Sequence, residues 1–274
     1  MKIGYLGPES SFSYHAAKRQ FDTADLVAYA SIPACLQAAL QAEVDLAIVP
    51  IENSLEGSVH ATIDTLSQNP ELQVLAEVIL PIKQQLLAVN PADFQKIYSH
   101  PQALAQSQKF LATNYPLAEL IPTASTAAAC EYVAKQHADQ IAAIASFEAA
   151  SAYGLEIVSS DIQDNDFNQT RFWIVSPKKA MDFGCAEKMS LILTLPSNQA
   201  GALHQMLATF GWRQINLSKI ESRPLKTSLG EYFFVVDLLL NRPSELSENA
   251  LEEIELLGGM VVRLGAYPVT ITSV

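Results

Sequence analysis

Positive charge is scarce in this chain. Seventeen Lys and Arg residues stand against 29 Asp and Glu, a formal net charge of −12 over 274 residues. A field of that sign argues against nucleic acid as a partner, because phosphate binding needs a basic surface. It also means that a small anionic ligand would be repelled at long range and must be captured by local donors such as helix ends. Cysteine is scarce too: Cys35, Cys130 and Cys185 are far apart, odd in number and form no Cys-x-x-Cys pair. That excludes a disulfide framework and reads as reduced thiols in a cytoplasmic protein. The five histidines (His15, His60, His100, His137 and His204) lack metal-ligand spacing, so no metal is expected. No apolar run approaches the roughly 18 residues that span a bilayer. The N-terminus, MKIGYLGPE, enters a strand directly with no signal-peptide hydrophobic region.

What is abundant is apolar surface, 49% of residues with only 17% charged, in a length that suits two domains with real cores. The first part alternates strand and helix. Strands are predicted near Lys2–Gly7, Asp25–Ala30, Asp45–Pro50, Gln73–Val89, Lys96–Ser99, Ala118–Pro122, Gln140–Ala145 and Arg171–Ser176, with helices between, as at Ile32–Gln41 and Thr126–Gln136. This rhythm predicts an α/β fold with largely parallel sheets. The stretch QVLAEVILPIKQQLLAV is too long for one strand and carries Pro81 in its middle. It reads as a crossover to a second lobe at about 80–155, with the chain returning near Glu156–Asp161. Two lobes joined by two crossings define a cleft, and sites favour such interfaces.

A linker at Pro177–Glu187 closes the first domain at about 179, and the pattern then changes. MSLILTLP, AGALHQMLATFG, INLSKIESRPL, GEYFFVVDLLL, LSENALEEIELLG and MVVRLGAYPV read as βαββαβ, the ferredoxin-like plan, over 188–274. Gly211 and Gly258 fall just past the two helices, and Ser247 is placed to cap the second.

Three strands of the first domain end in small polar residues that start helices: KIGYLG before Pro8-Glu9-Ser10-Ser11, KIYSH before Pro101-Gln102, and ELIPTA before Ser125-Thr126. Ser or Thr caps the first turn there, and free N–H groups at the positive end of the helix dipole receive anions. A fourth strand, DLAIVPIENS, also ends in polar groups. NQTRFWIVS delivers Thr170 and Arg171 onto an apolar, β-branched run, so both sit on a rigid element. Successive strand residues point to opposite faces, so a regular strand cannot aim both into one cleft.

GPESSFSYHAA, PIENSLEGSV, YSHPQALAQ, PTASTAAA and NQTRFWIVS, in that order, resemble the motif series of the prephenate dehydratases. GALHQML and ESRP resemble the two signatures of the regulatory ACT domain fused to that enzyme. The resemblance spans nearly the whole chain and lies in the ordered set. It implies a bilobal catalytic domain similar to periplasmic solute-binding proteins and a ferredoxin-like ACT domain. The implied reaction turns prephenate into phenylpyruvate, water and carbon dioxide, without a cofactor, under feedback by L-phenylalanine. By resemblance Thr170 is the hydrogen-bond donor to the departing hydroxyl, and Asn53, Ser99 and Gln106 belong in or beside the site. Arg171 is the candidate for a substrate carboxylate, with Ser11, Ser125, Thr126 and Phe172 as further substrate-binding positions. Glu52 is repulsive to a dianion unless it is protonated or salt-bridged, for instance to Arg171. Gly201, Ala202 and Leu203, with Glu221, Ser222, Arg223 and Pro224, would hold phenylalanine. ACT domains usually pair, which implies a homodimer or homotetramer. No stretch reads as an added chorismate mutase.

The chain departs from the family pattern in places. Ser10-Ser11 stands where Gly-Thr is usual, Ala124 where many members carry Glu, Gln84 and Gln85 near a common His, and Ala200 where Pro is common. Arogenate dehydratase uses the same leaving-group machinery and is the alternative enzyme; a non-catalytic amino-acid sensor is the alternative from another class. Because every proposed catalytic residue precedes the linker, a fragment ending near Lys179 is expected to fold and keep some activity.

Overall fold

The computed structural model describes residues 1–177, 181–195, 199–225 and 232–272. Lys178 and Lys179 of the expected linker, and the boundary at 179, lie outside them. The chain begins as β1 (Lys2–Leu6), α1 (Phe12–Gln20), β2 (Asp25–Tyr29), α2 (Ile32–Leu40), β3 (Leu46–Asn53), the short β4 (Gly57–Ser58) and α3 (His60–Gln68). β5 (Gln73–Pro81) then crosses to β6 (Gln85–Ala88), β7 (Lys96–Ser99), α4 (Pro101–Gln106), α5 (Gln108–Asn114) and β8 (Glu119–Pro122). α6 (Thr126–Gln136), β9 (Ile141–Ala145), α7 (Phe147–Tyr153) and β10 (Glu156–Ser159) complete the second lobe, and β11 (Gln169–Ser176) returns to the first. The C-terminal domain runs β12 (Lys188–Thr194), α8 (Ala202–Trp212), β13 (Leu217–Pro224), β14 (Tyr232–Leu239), α9 (Ser244–Leu256), β15 (Met260–Tyr267) and β16 (Val269–Ile271).

Pro81 ends β5 where the chain changes lobe, because proline has no N–H to continue a ladder. The two lobes have separate sheets, ordered β16-β5-β11-β3-β1-β2, with β4 on β3, and β10-β6-β9-β7-β8. They are mixed rather than largely parallel. β1 runs parallel to β2 and β3, and β7 to β8 and β9, but β11 opposes both β3 and β5, and β6 opposes β9 and β10. The reversed strand of each sheet is the first one after a crossing: β6, entered from β5, and β11, on which the chain comes back. The second sheet also extends past 155, because β10 is one of its strands.

The third sheet, β13-β14-β12-β15, is the ferredoxin-like arrangement. One of its faces is covered by α8 and α9 through Leu191, Leu193, Phe234, Val236 and Leu238. The other face presents Ile192, Phe233, Val235, Leu264 and Tyr267 to a core shared with Val49, Ile51, Val74, Trp173 and Val175 of the first lobe. Burial on both faces explains why YFFVVDLL reads as an unbroken apolar run.

The predicted final strand MVVRLGAYPV divides at Pro268. β15 stays in the C-terminal sheet, whereas β16 pairs in parallel with β5 at the edge of the first lobe's sheet. At this junction a Cβ built on Gly265 would stand 2.1 Å from the carbonyl oxygen of Val74. Gly265→Ala is therefore expected to cost about 1–3 kcal/mol or more through overpacking against backbone that cannot yield. Equilibrium denaturation checks this; an unchanged midpoint would refute the close approach. No helix among the described residues is long and apolar enough to cross a membrane.

Candidate active site

Thr170 and Asn53 are direct cross-strand partners at the cleft ends of β11 and β3. The ladder between these strands slips one residue beyond the next pair, Arg171 and Glu52, because Phe172 pairs with Pro50 and leaves Ile51 as the extra residue. Such a bulge bends the strand and re-aims the side chains beside it.

Asn53 is fixed in one orientation by what its two ends can accept. Its Oδ1 receives the backbone N–H groups of Leu55 and Glu56 at 3.0 and 3.2 Å, which can only donate. Nδ2 therefore faces Thr170 Oγ1 at 3.0 Å and Asn168 Oδ1 at 2.9 Å. The threonine oxygen thus accepts from Asn53, and its own proton remains to be given away. Accepting one hydrogen bond also strengthens the donor. Asn168 passes the same polarity onward, donating from Nδ2 to Gln106 Oε1 at 2.9 Å. Gln106 is the last residue of α4, where the run ALAQSQKFLA breaks at Ser107 into two helices. Asp164 stabilises that break by donating its N–H to the Gln106 carbonyl and accepting the N–H of Lys109. With Oε1 occupied, Gln106 has its amide N–H groups to offer.

These residues border a cavity of about 330 Å³ between the lobes, with Thr170, Asn53 and Val59 on one side and His100, Gln102, Gln106, Ala124, Ser125 and Thr126 on the other. Ser125 caps α6 by accepting the Ala128 N–H at 3.0 Å. The first-turn N–H groups of that helix have no intrahelical acceptor and point their partial positive charge at the cavity. His100 caps α4 by accepting the Gln102 N–H at Nδ1, which places the proton of a neutral ring on Nε2. Gln84, 2% exposed, with Phe12, Ile82, Ala103 and the acidic Glu56, completes the wall. No Lys or Arg is among the lining residues, so anion capture here rests on amides, hydroxyls, an imidazole and helix N–H groups.

Several expected site residues stand elsewhere. Arg171 points to the opposite face of β11, as strand alternation requires. Its fork is filled by Glu52 at 2.5 Å, Glu77 at 2.5 and 3.0 Å and Asp237 at 2.6 Å, so it is not the substrate's carboxylate ligand. Burial opposes its charge, but Asp237 and Glu77 more than offset this and hold it protonated. Burial alone would raise Glu52, yet Lys219 and Arg171 hold it below the ordinary carboxylate value. Glu52 is a salt-bridged carboxylate, outside the cavity lining. Phe172 is 1% exposed in the core beneath α1 and supports Thr170 without facing substrate. The Ser99 hydroxyl is buried and donates to the Ile144 carbonyl at 2.6 Å, so His100 and not Ser99 serves the helix start. Ser11 spends its hydroxyl on capping α1 and on the Leu6 carbonyl; Phe12 reaches the cleft instead. Ser10 takes the left-handed φ of 66°, the reason glycine suits that position better.

In the C-terminal domain, Gly201 sits at the start of α8 with φ 89°, followed by Ala202 and Leu203. Thr194 and Arg223 both pair with Phe233 across β14, so the end of β12 and the ESRP end of β13 share one edge of the sheet. Glu221 and Arg223, however, face the first lobe. Glu221 contacts Lys219 at 3.3 Å and His60 at 3.4 Å, and Arg223 binds Asp64 at 2.7 Å. Their side chains are committed to the domain seam; Ser222 and Pro224 lie on the exposed face.

Sequence reading missed Asn168, His100 as a cap, Glu77 and Asp237. Lone carboxylates inside LAEVIL and FVVDLLL were the available signal, since an unpaired buried charge is too costly to keep.

Residues 3–180 match the prephenate dehydratase family. The prephenate dehydratase of Lactococcus lactis subsp. lactis (strain IL1403) is 48% identical over 274 residues, covering 98% of this chain and 98% of its own. That of Bacillus subtilis (strain 168) is 45% identical over 281 residues, covering 97% of this chain and 98% of its own. The crystal structure of prephenate dehydratase in complex with L-Phe from Arthrobacter aurescens superposes with a TM-score of 0.88 at 32% identity, over 98% of this chain and 90% of that one. With its motifs gathered around one interlobe cleft and likeness over 98% of its length, the chain belongs to the prephenate dehydratase family.

Proposed function

We propose that this protein converts prephenate to phenylpyruvate in the cytoplasm, with Thr170 supporting the leaving group. The ring carboxylate departs as carbon dioxide and its electron pair enters the ring. The ring hydroxyl is expelled and takes up a proton to become water, and aromatisation drives the exchange. The observation that carries this reading is the Asn53 Nδ2 to Thr170 Oγ1 hydrogen bond, which turns the threonine proton outward. An alcohol is a weak acid, so hydrogen-bond stabilisation of the developing charge contributes more than full proton transfer. Gln106, the N-terminus of α6 and the His100 Nε2–H supply donors for the two carboxylates.

L-Phenylalanine is the proposed effector. Its carboxylate meets the first-turn N–H groups of α8, where Gly201 allows close approach, and its ring meets Leu203. Ser222 and the outer edge of β13 receive its ammonium. The exposed Trp212, Leu256 and Met260 supply apolar surface for pairing C-terminal domains in a homodimer or homotetramer.

The test is turnover of prephenate and of arogenate by purified protein, each titrated with phenylalanine, alongside calorimetry. Prephenate is expected to be the better substrate, and phenylalanine to bind and inhibit. Gly201→Val combined with Ser222→Ala should lose binding and inhibition together while basal turnover persists. Product from neither substrate overturns the enzymatic assignment. No phenylalanine binding at millimolar concentration overturns the regulatory part alone.

A further inference from the structure

β13 carries the ESRP stretch, and every second side chain from Lys219 onward reaches across the domain seam. Lys219 binds Glu52 at 3.1 Å and Ser58, Glu221 contacts His60, and Arg223 binds Asp64. Glu52 is the junction: one carboxylate oxygen holds Lys219 and the other holds Arg171 at 2.5 Å. Arg171 continues to Asp237 of β14, which also accepts the Ser190 hydroxyl at 2.6 Å, and to Glu77, which binds Lys188 at 2.7 Å. Glu77 and Asp237 are fully buried and Lys219 is 8% exposed, so these pairs act with little solvent screening.

The location of this network gives it consequences. Glu52 and Arg171 are cross-strand partners, and the next pair along the same ladder is Asn53 and Thr170. Adjacent strand residues share a peptide unit and point to opposite faces. A shift of the Glu52–Arg171 pair on the seam side is thereby a shift of the Asn53–Thr170 pair on the cleft side. No intervening side chain is needed.

We propose that Glu52 and Arg171 are positioning residues for Thr170, and that Lys219 and Asp237 transmit to them the state of β13 and β14. The same contact lets the C-terminal domain change turnover without touching substrate. This inference rests on the proposed phenylalanine regulation.

Lys219→Gln tests it in the full-length protein, with Lys219→Arg as the conservative control. The measurements are phenylalanine affinity by calorimetry, with and without phenylpyruvate as a stable occupant of the cleft, and inhibition of prephenate turnover. Coupling between two binding sites is reciprocal, so phenylpyruvate in the cleft must weaken phenylalanine binding by the same factor by which phenylalanine weakens phenylpyruvate binding. In wild type that factor is expected to be about tenfold, within the usual range of such couplings. Lys219→Gln should still bind phenylalanine, lose inhibition and show less than about threefold dependence on phenylpyruvate. Lys219→Arg should restore both. A merely structural lysine would lower the melting temperature and leave the coupling factor alone. Intact inhibition in a folded Lys219→Gln protein overturns the proposal. If Lys219→Gln does not fold, Asp237→Asn is read the same way, and normal coupling there is equally fatal. Failure of wild type to bind phenylalanine removes the regulatory reading, and this one with it, and is distinguished by occurring before any substitution.

Discussion

Thr170→Val is expected to lower prephenate turnover by roughly 10²- to 10⁴-fold, the scale for losing a positioned proton or hydrogen-bond donor. The substitution isolates the hydroxyl. Valine keeps the β-branched shape that suits a strand, and Phe172, Ile174 and their core remain beneath it. Asn53 stays anchored by the N–H groups of Leu55 and Glu56 and by Asn168, so the rest of the polar chain persists. The loss should therefore appear mainly in kcat, with KM little changed, because the missing interaction forms as the hydroxyl departs. Thr170→Ser should keep much of the activity, since it preserves the oxygen that Asn53 addresses. Wild-type turnover by the valine protein would remove Thr170 from the chemistry and leave the Asn53 hydrogen bond a purely structural one.

The second large effect is expected from truncation after Pro177, and here the structure reverses the expectation drawn from sequence. All the cleft residues precede that point, which made a self-contained catalytic fragment plausible. The core does not divide there. Ile192, Phe233, Val235, Leu264 and Tyr267 pack into the same cluster as Val49, Val74 and Trp173. At roughly 1.5–3 kcal/mol for each buried apolar side chain, their removal costs on the order of 10 kcal/mol, comparable with the entire stability of a domain. The fragment would also lose β16 from the edge of its sheet and the Asp237 and Lys188 partners of Arg171 and Glu77. The expected result is an aggregating or molten fragment with no dehydratase activity, followed by circular dichroism and sedimentation. A soluble fragment that unfolds cooperatively and turns over prephenate would show that the shared core is dispensable.

The two effects differ in how visible their causes are along the chain. The family resemblance singled out the Thr170 hydroxyl, while the amino-acid sequence alone determined the crossover at Pro81, the helix starts at Ser11 and Ser125, and the α/β and ferredoxin-like halves. Each rests on a few neighbouring residues: a missing N–H, a capping oxygen, an apolar period. It also stated that Thr170 and Arg171 take opposite faces, because alternation is a property of the strand itself. What lay across the seam was decided only by tertiary structure. Arg171 looked like a substrate ligand until Glu77 and Asp237, 94 and 66 residues away, filled its fork. Glu221 and Arg223 looked like effector ligands until α3 supplied His60 and Asp64. Two further outcomes depended on how two sheets approach each other, the close fit at Gly265 and the passage of β16 into the other domain; the commitment of Ser99 to Ile144 depended on the pairing of β7 with β9, 45 residues apart in the chain. Propensity and capping act within a turn or two of chain. The partner of a buried charge is whichever group the packed fold brings within reach, and sequence spacing does not limit that distance.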